Sequence, residues 1–120
     1  MESIVFGFRS ILASSVVAAG LLASLPAPAQ AAPECDIDWV CVWTGTNYTG
    51  TKYRYQGVGY WQNFPGEVTV RSIYNNYNDR DAAVANGING GGAKYCIDSD
   101  SGNGNILSKS LYIAYTNSNC

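Results

Sequence analysis

The sequence predicts an all-β fold, a small sandwich or barrel of short strands. Three observations carry that expectation. From Ala32 onward apolar residues never recur at helical spacing for more than a turn or two, several short runs alternate in the two-residue period of half-buried strands, and the breaks between them are turn chemistry.

The N-terminus is read apart from the fold. Met1 to Arg9 forms a short region ending in a positive charge, Ile11 to Leu25 is uncharged and rich in apolar and small residues, and Ala29 and Ala31 fit the small-residue preference of a signal peptidase. The apolar run falls below the ~18 residues that a membrane span needs. Residues 1–31 are therefore expected to be a secretory signal peptide, with 32–120 as a single domain and no membrane contact after cleavage.

Strands are expected at Trp39–Thr44, Thr51–Gln56, Glu67–Asn75, Ala82–Ala85, Lys94–Ile97 and Ser110–Thr116. In the second of these, Tyr53 and Tyr55 share one face while Lys52, Arg54 and Gln56 share the other. In the last, Leu111, Ile113 and Tyr115 share a face. The connections are Asn47 to Gly50, Gln56 to Gly59, Phe64 to Gly66, Asn86 to Gly92 and Asp98 to Asn105, of which the last two are expected to be mobile hairpin connections. A faint duplication relates Cys35 to Asn78 with Asp79 to Cys120.

A mature chain of about 89 residues buries too little surface for a core alone to be comfortable, so staples are expected. The four cysteines supply them, because thiols outside the cytoplasm are usually oxidised in pairs. Three connectivities exist. The short gap between Cys35 and Cys41 closes a loop easily, which leaves Cys96 to tie a strand to Cys120. No CxxC pair and no histidine is present to complete a tetrahedral metal shell.

Composition excludes much chemistry. With no histidine, Ser-His and Cys-His nucleophile pairs, the HExxH zinc helix and every imidazole base are removed. A net charge of −2 with 13% charged residues leaves no basic patch for a phosphate backbone, so nucleic acid is not an expected partner. Carboxylate catalysis by a pair drawn from Glu67, Asp79 and Asp81 would need a deep cleft that a domain this small does not offer. The chain is not expected to be an enzyme or to carry a cofactor.

Calcium ligation has two weak candidates. In Asn78-Asp79-Arg80-Asp81-Ala82-Ala83 the alanines stand where hydroxyl ligands belong. In Asp98-Ser99-Asp100-Ser101-Gly102-Asn103 the glycine comes one place early, and Lys109 holds the position of the closing glutamate. No metal site is expected from either.

Trp43-Thr44-Gly45-Thr46-Asn47-Tyr48-Thr49-Gly50 places an aromatic, four residues, a second aromatic, one residue and a glycine at the first hairpin, and Ser72 follows in a later strand. This resembles the signature of the βγ-crystallin Greek key. In such a motif the hairpin folds back over its sheet, one aromatic packs on the other, the glycine takes a conformation that a Cβ obstructs, and a serine hydroxyl ties the fold down. The formal glycosylation sequon Asn47-Tyr48-Thr49 overlaps that hairpin.

Together with the leader, Cys35, Cys41 and Val42-Trp43-Thr44-Gly45, the chain resembles the secreted peptidase-inhibitor family of the Streptomyces metalloproteinase inhibitor type over Cys35 to about Ile97. The resemblance implies a βγ-crystallin-like Greek-key sandwich of two small sheets stapled by two disulfides. It implies inhibition of an extracellular, thermolysin-like metalloendopeptidase by a disulfide-anchored loop in which a cysteine precedes a hydrophobic residue. Cys96 and Ile97, continued by Asp98, match that position, although no second cysteine follows within a few residues. The rival reading is a carbohydrate- or cell-wall-binding module. Nine tyrosines and three tryptophans exceed what the core needs, and Tyr53, Tyr55, Tyr60, Trp61, Tyr74 and Tyr77 could offer sugar-stacking surface. A coplanar exposed stripe of them would favour glycan, and protrusion of Ile97 and its neighbours would favour inhibition.

Overall fold

Two sheets of four antiparallel strands face each other in the computed structural model, which describes residues 33–117 and 120. The leader expected at 1–31 lies outside the described residues. The strands are β1 (Val40–Trp43), β2 (Lys52–Tyr55), β3 (Trp61–Asn63), β4 (Ser72–Asn75), β5 (Ala82–Ala85), β6 (Lys94–Ile97), β7 (Ser101–Asn103) and β8 (Ser110–Ile113). Their order is β2-β1-β4-β7 in one sheet and β3-β8-β5-β6 in the other.

That order is the same pattern written twice. In each half of the chain the first, second and fourth strands lie side by side, while the third crosses to the far edge of the opposite sheet. The faint sequence duplication is thus a doubled Greek key. Neither half can close its own sheet, because each lends an edge strand to the other.

The two-residue period explains which face meets the core. Val40 and Val42 of β1 and Ala82 and Val84 of β5 join a cluster with Ile73 and Leu111. Their neighbours Cys41, Trp43, Ala83 and Ala85 point the other way and are covered from outside, so both strands are buried on both faces. In β2, by contrast, Lys52 and Arg54 stay exposed while Tyr53 and Tyr55 lean on the core. The Tyr55 ring lies 5.6 Å from that of Phe64.

The differences from the sequence reading have local causes. β3 and β7 are three residues each, and β7 contains Gly102, so neither carries a strand signal of its own. Pairing with β8 and β4 creates them. The segment from Asp98 to Asn105 therefore holds a strand, and the one from Asn86 to Gly92 holds a 3-10 turn, Ile88–Gly90. The strand expected from Glu67 begins only at Ser72, since Pro65–Glu67 is a 3-10 turn whose Gly66 and Glu67 have φ of 62° and 53°.

Both hairpin corners are tied by the same chemistry. The buried Ser72 hydroxyl accepts the Tyr48 N–H at 2.9 Å and donates to the Gly45 carbonyl at 2.7 Å. In the second half, Ser110 accepts the Gly90 N–H at 2.9 Å and donates to the Gly87 carbonyl at 2.7 Å. The packing over the two corners is exchanged. Trp43 and Tyr48 meet edge to face at 5.1 Å, with the Tyr48 hydroxyl over Gly102, where a Cβ would come within 2.7 Å of it. In the second corner the glycine is in the hairpin, Gly90 at φ 75°, and the bulk comes from Trp61 on the crossing strand, whose indole a Cβ at Gly90 would strike.

Candidate functional site

Both expected disulfides are present, with Cα separations of 6.0 Å for Cys35–Cys41 and 5.6 Å for Cys96–Cys120. They anchor two different surfaces.

Cys96 lies on β6, the outer edge of its sheet among the described residues, where β5 is its neighbouring strand, with Cys96 opposite Ala83 and Ile97 opposite Ala82. The alternation turns Ile97 inward. It is 5% exposed and belongs to the core cluster, so the side chain expected to enter an enzyme pocket is not on the surface. Apolar residues beside a half-cystine usually pack this way, and here the partners are the core residues of both sheets. Asp98 is exposed and follows directly.

The backbone beyond Ile97 is held from below. Buried Asn75 donates its amide to the carbonyls of Arg80 at 2.8 Å and of Ile97 and Asp98 at 3.3 Å, and the Asp98 carbonyl also accepts the Ser101 hydroxyl at 2.7 Å. The buried Asp81 carboxylate accepts the Ser99 N–H at 3.1 Å. Asp81 also lies within 4.8 Å of the sulfurs of Cys96 and Cys120. Because those sulfurs are bonded to each other, neither offers a thiolate to a metal.

The Cys35–Cys41 segment is different in kind. Between its half-cystines the chain makes one tight turn, closed by the Trp39 N–H to the Asp36 carbonyl at 3.2 Å, with Asp38 at φ 65°. At the tip stands Ile37, 77% exposed, the most exposed large hydrophobic side chain among the described residues. The turn is pinned on every side. Asn76 donates its amide to the Cys35 carbonyl at 2.6 Å, the Asp38 N–H donates to the Asn76 carbonyl at 3.0 Å, and Gln56 donates to the Asp38 carbonyl at 2.9 Å. Arg54 pairs with Asp36 at 3.1 Å while its guanidinium covers the Trp39 ring at 4.3 Å. Sequence reasoning treated this loop only as a staple. The available signal was an isoleucine between two aspartates inside a short cysteine gap.

The exposed aromatics do not form one stripe. Tyr60 and Tyr115 stand over Gly57 and Gly59 at the β3 side, whereas Tyr95 stands on β6 at the opposite edge of the same sheet. Trp61 on β3 and its cross-strand neighbour Tyr112 on β8, both half-buried, are inclined at 47° with centroids 5.5 Å apart, and with Tyr95 they line a recess of about 250 Å³ beside the Cys96–Cys120 bridge rather than a flat platform. Tyr77 is buried and Tyr53, Tyr55 and Tyr74 are half-buried. A groove of about 410 Å³ beside Tyr95 is lined by Arg71, Asn86, Asn103, Ile106 and Leu107.

The carboxylates weighed for catalysis are dispersed in role. Asp81 braces a loop, Glu67 is exposed in a 3-10 turn, and Asp79 lines a shallow recess with Asp38, Tyr77 and Arg80. Ala82 and Ala83, where calcium would need hydroxyls, are buried in β5. Lys109 donates to the Glu67 carbonyl at 2.7 Å, tying one half to the other. Of the titratable groups, burial raises the phenols of Tyr48, Tyr55 and Tyr77, with Tyr74, Tyr53 and the pair Asp38 and Asp79 respectively adding to it. For Tyr77 the nearby Arg80 opposes the rise.

A family model described as peptidase inhibitor family I36 matches residues 28–97, more than half of the chain. No curated protein matches it. Among solved structures, one described as "Evolution of the eye lens beta-gamma-crystallin domain fold" superposes with a TM-score of 0.56 at 15% identity, covering 71% of this chain and 93% of that one. At that identity the likeness shows the fold alone: this is a βγ-crystallin-type sandwich.

Proposed function

We propose, from the premise that this chain belongs to peptidase inhibitor family I36, that it is a secreted protein blocking a thermolysin-like metalloendopeptidase through a disulfide-anchored loop, without catalysis of its own. The observation that carries this reading is the family match over residues 28–97, a span that takes in Cys35, Cys41 and Cys96. Two disulfides in a chain this short support residence in an oxidising compartment, and the leader-like residues 1–31 support export.

The physics of such inhibition is loss avoided. A flexible peptide in a protease cleft gives up chain entropy on binding and diffuses away once cut. A turn closed by a disulfide and hydrogen-bonded to a sheet has already given up that entropy, and if its backbone is cleaved the two ends stay joined through sulfur. Binding then outlasts hydrolysis.

The test is a titration of the oxidised chain, as processed on secretion, against a thermolysin-like enzyme acting on a small chromogenic substrate. The reading expects activity to fall linearly to near zero at about one equivalent. Full activity at a hundredfold excess would overturn it.

A further inference from the structure

Resting on that inhibitory reading, we infer that the contact loop is the one closed by Cys35–Cys41, and that Ile37 at its tip is the side chain that enters an apolar pocket of the target peptidase. Three independent features converge there. The side chain is available: Ile37 is 77% exposed, against 5% for Ile97. Enclosing an isoleucine removes a large branched apolar side chain from water, the kind of buried central anchor that dominates an interface.

The loop is also rigid in the sense that matters for binding. A six-residue separation between half-cystines leaves the turn little freedom, and hydrogen bonds fix what remains, from Arg54 of β2, from Gln56 and Asn76 just past the ends of β2 and β4, and from the Trp39 N–H within the turn. Asp38 adopts the left-handed conformation that lets the turn reverse directly after Ile37, which thrusts the isoleucine outward rather than back onto β2.

Finally, the topology supplies the covalent retention that the mechanism needs. Any peptide bond between Cys35 and Cys41 lies inside a closed ring, so a cut there releases no fragment. A cut after Cys96 lies inside a far longer ring, with a separation of 24, and would expose core side chains such as Ile97. The short ring is the better bait and the long one the better staple.

The partner is therefore a peptidase whose specificity pocket takes a branched aliphatic side chain presented on a narrow turn. The experiment is inhibition of a thermolysin-like metalloendopeptidase and, in parallel, of a serine endopeptidase with an apolar specificity pocket. The chains compared are the wild type, Ile37→Asp, Ile37→Leu and Tyr95→Ala, each checked by circular dichroism for an unchanged melting temperature. Ile37→Asp is expected to raise the inhibition constant at least a hundredfold, Ile37→Leu to stay within about fivefold, and Tyr95→Ala to match the wild type. Wild-type potency in Ile37→Asp would overturn the assignment of the loop while leaving the inhibitory reading intact, and a hundredfold loss confined to Tyr95→Ala would move the contact to the β6 edge. A wild-type chain that leaves both enzymes fully active would overturn the inhibitory reading and the loop's role with it.

Discussion

The two disulfides sit on the same sandwich and do opposite things with the isoleucine beside them. Cys35–Cys41 encloses a turn that holds Ile37 in solvent, while Cys96–Cys120 secures an edge strand whose Ile97 completes the core. The difference comes from secondary structure. On β6 the residue after Cys96 alternates inward because Cys96 itself faces out, and pairing with β5 leaves no other choice. Between Cys35 and Cys41 there is no strand until Val40, so nothing dictates an inward face and the turn is free to project. An isoleucine near a half-cystine thus reaches solvent only where the backbone is not already committed to a sheet.

The sharpest way to break this comparison is to charge each isoleucine. Ile97→Asp places an unpaired carboxylate in the core, which costs more than the roughly 5 kcal/mol that holds a domain of this size, so the chain should fail to give a cooperative melt. Ile37→Asp should melt with the wild type. Next in size is removal of the long bridge. Replacing Cys96 and Cys120 together by alanine should lower stability by about 3.5 kcal/mol in denaturant titration, yet leave inhibition detectable while the domain stays folded. Replacing Cys35 and Cys41 should lower stability less, by about 2 kcal/mol, and should weaken inhibition more, because the ring that holds the turn is gone. If the larger stability loss and the larger inhibitory loss fell on the same bridge, the division of labour drawn here would fail.

Smaller again is the brace on the first loop. Arg54→Ala removes the pair to Asp36 and the cover over Trp39, both exposed, so its stability cost should stay below about 1 kcal/mol. Inhibition should still fall several-fold, since the turn loses part of its support. The smallest effect is alkaline. The phenols of Tyr48, Tyr55 and Tyr77 have folded-state pKa values above the open-chain 10.0, mainly through burial, so the neutral form is favoured on folding. The stability this contributes is complete below pH 10 and is lost as pH rises through the raised values. All three lie in the first half of the chain, and Tyr77 neighbours Asp38. Hydrogen exchange above pH 10 should therefore accelerate first around the first hairpin and the Cys35–Cys41 turn, while β8 retains its protection.

Much of the fold was legible because it rests on short-range rules. The alternation in Lys52 to Tyr55, the aromatic pair Trp43 and Tyr48, the glycine at position 50 with φ 86°, and the serine at 72 each leave a local mark in the sequence. The second corner keeps the glycine, Gly92 at φ 75°, and the serine, Ser110, but lacks the aromatic pair that makes the motif recognisable, because its bulk comes from Trp61 on a strand of the other half and Gly90 stands where the hairpin aromatic would be. β3 and β7 were invisible for the same reason: partners, rather than propensity, make them strands. The contact loop was harder still. Reading Cys96-Ile97 as a bait requires only adjacency, whereas recognising Ile37 requires knowing that Arg54 of β2 and the residues just past β2 and β4, Gln56 and Asn76, converge on its turn from well along the chain.

One measurement bears most directly on the claim that inhibition runs through the shorter ring. Amide hydrogen exchange of the oxidised chain should be followed alone and in a stoichiometric complex with an inhibited peptidase. New protection across residues 35–41, with the 94–98 edge unchanged, is the predicted result; protection gained at 94–98 while 35–41 exchanges as in the free chain would contradict it.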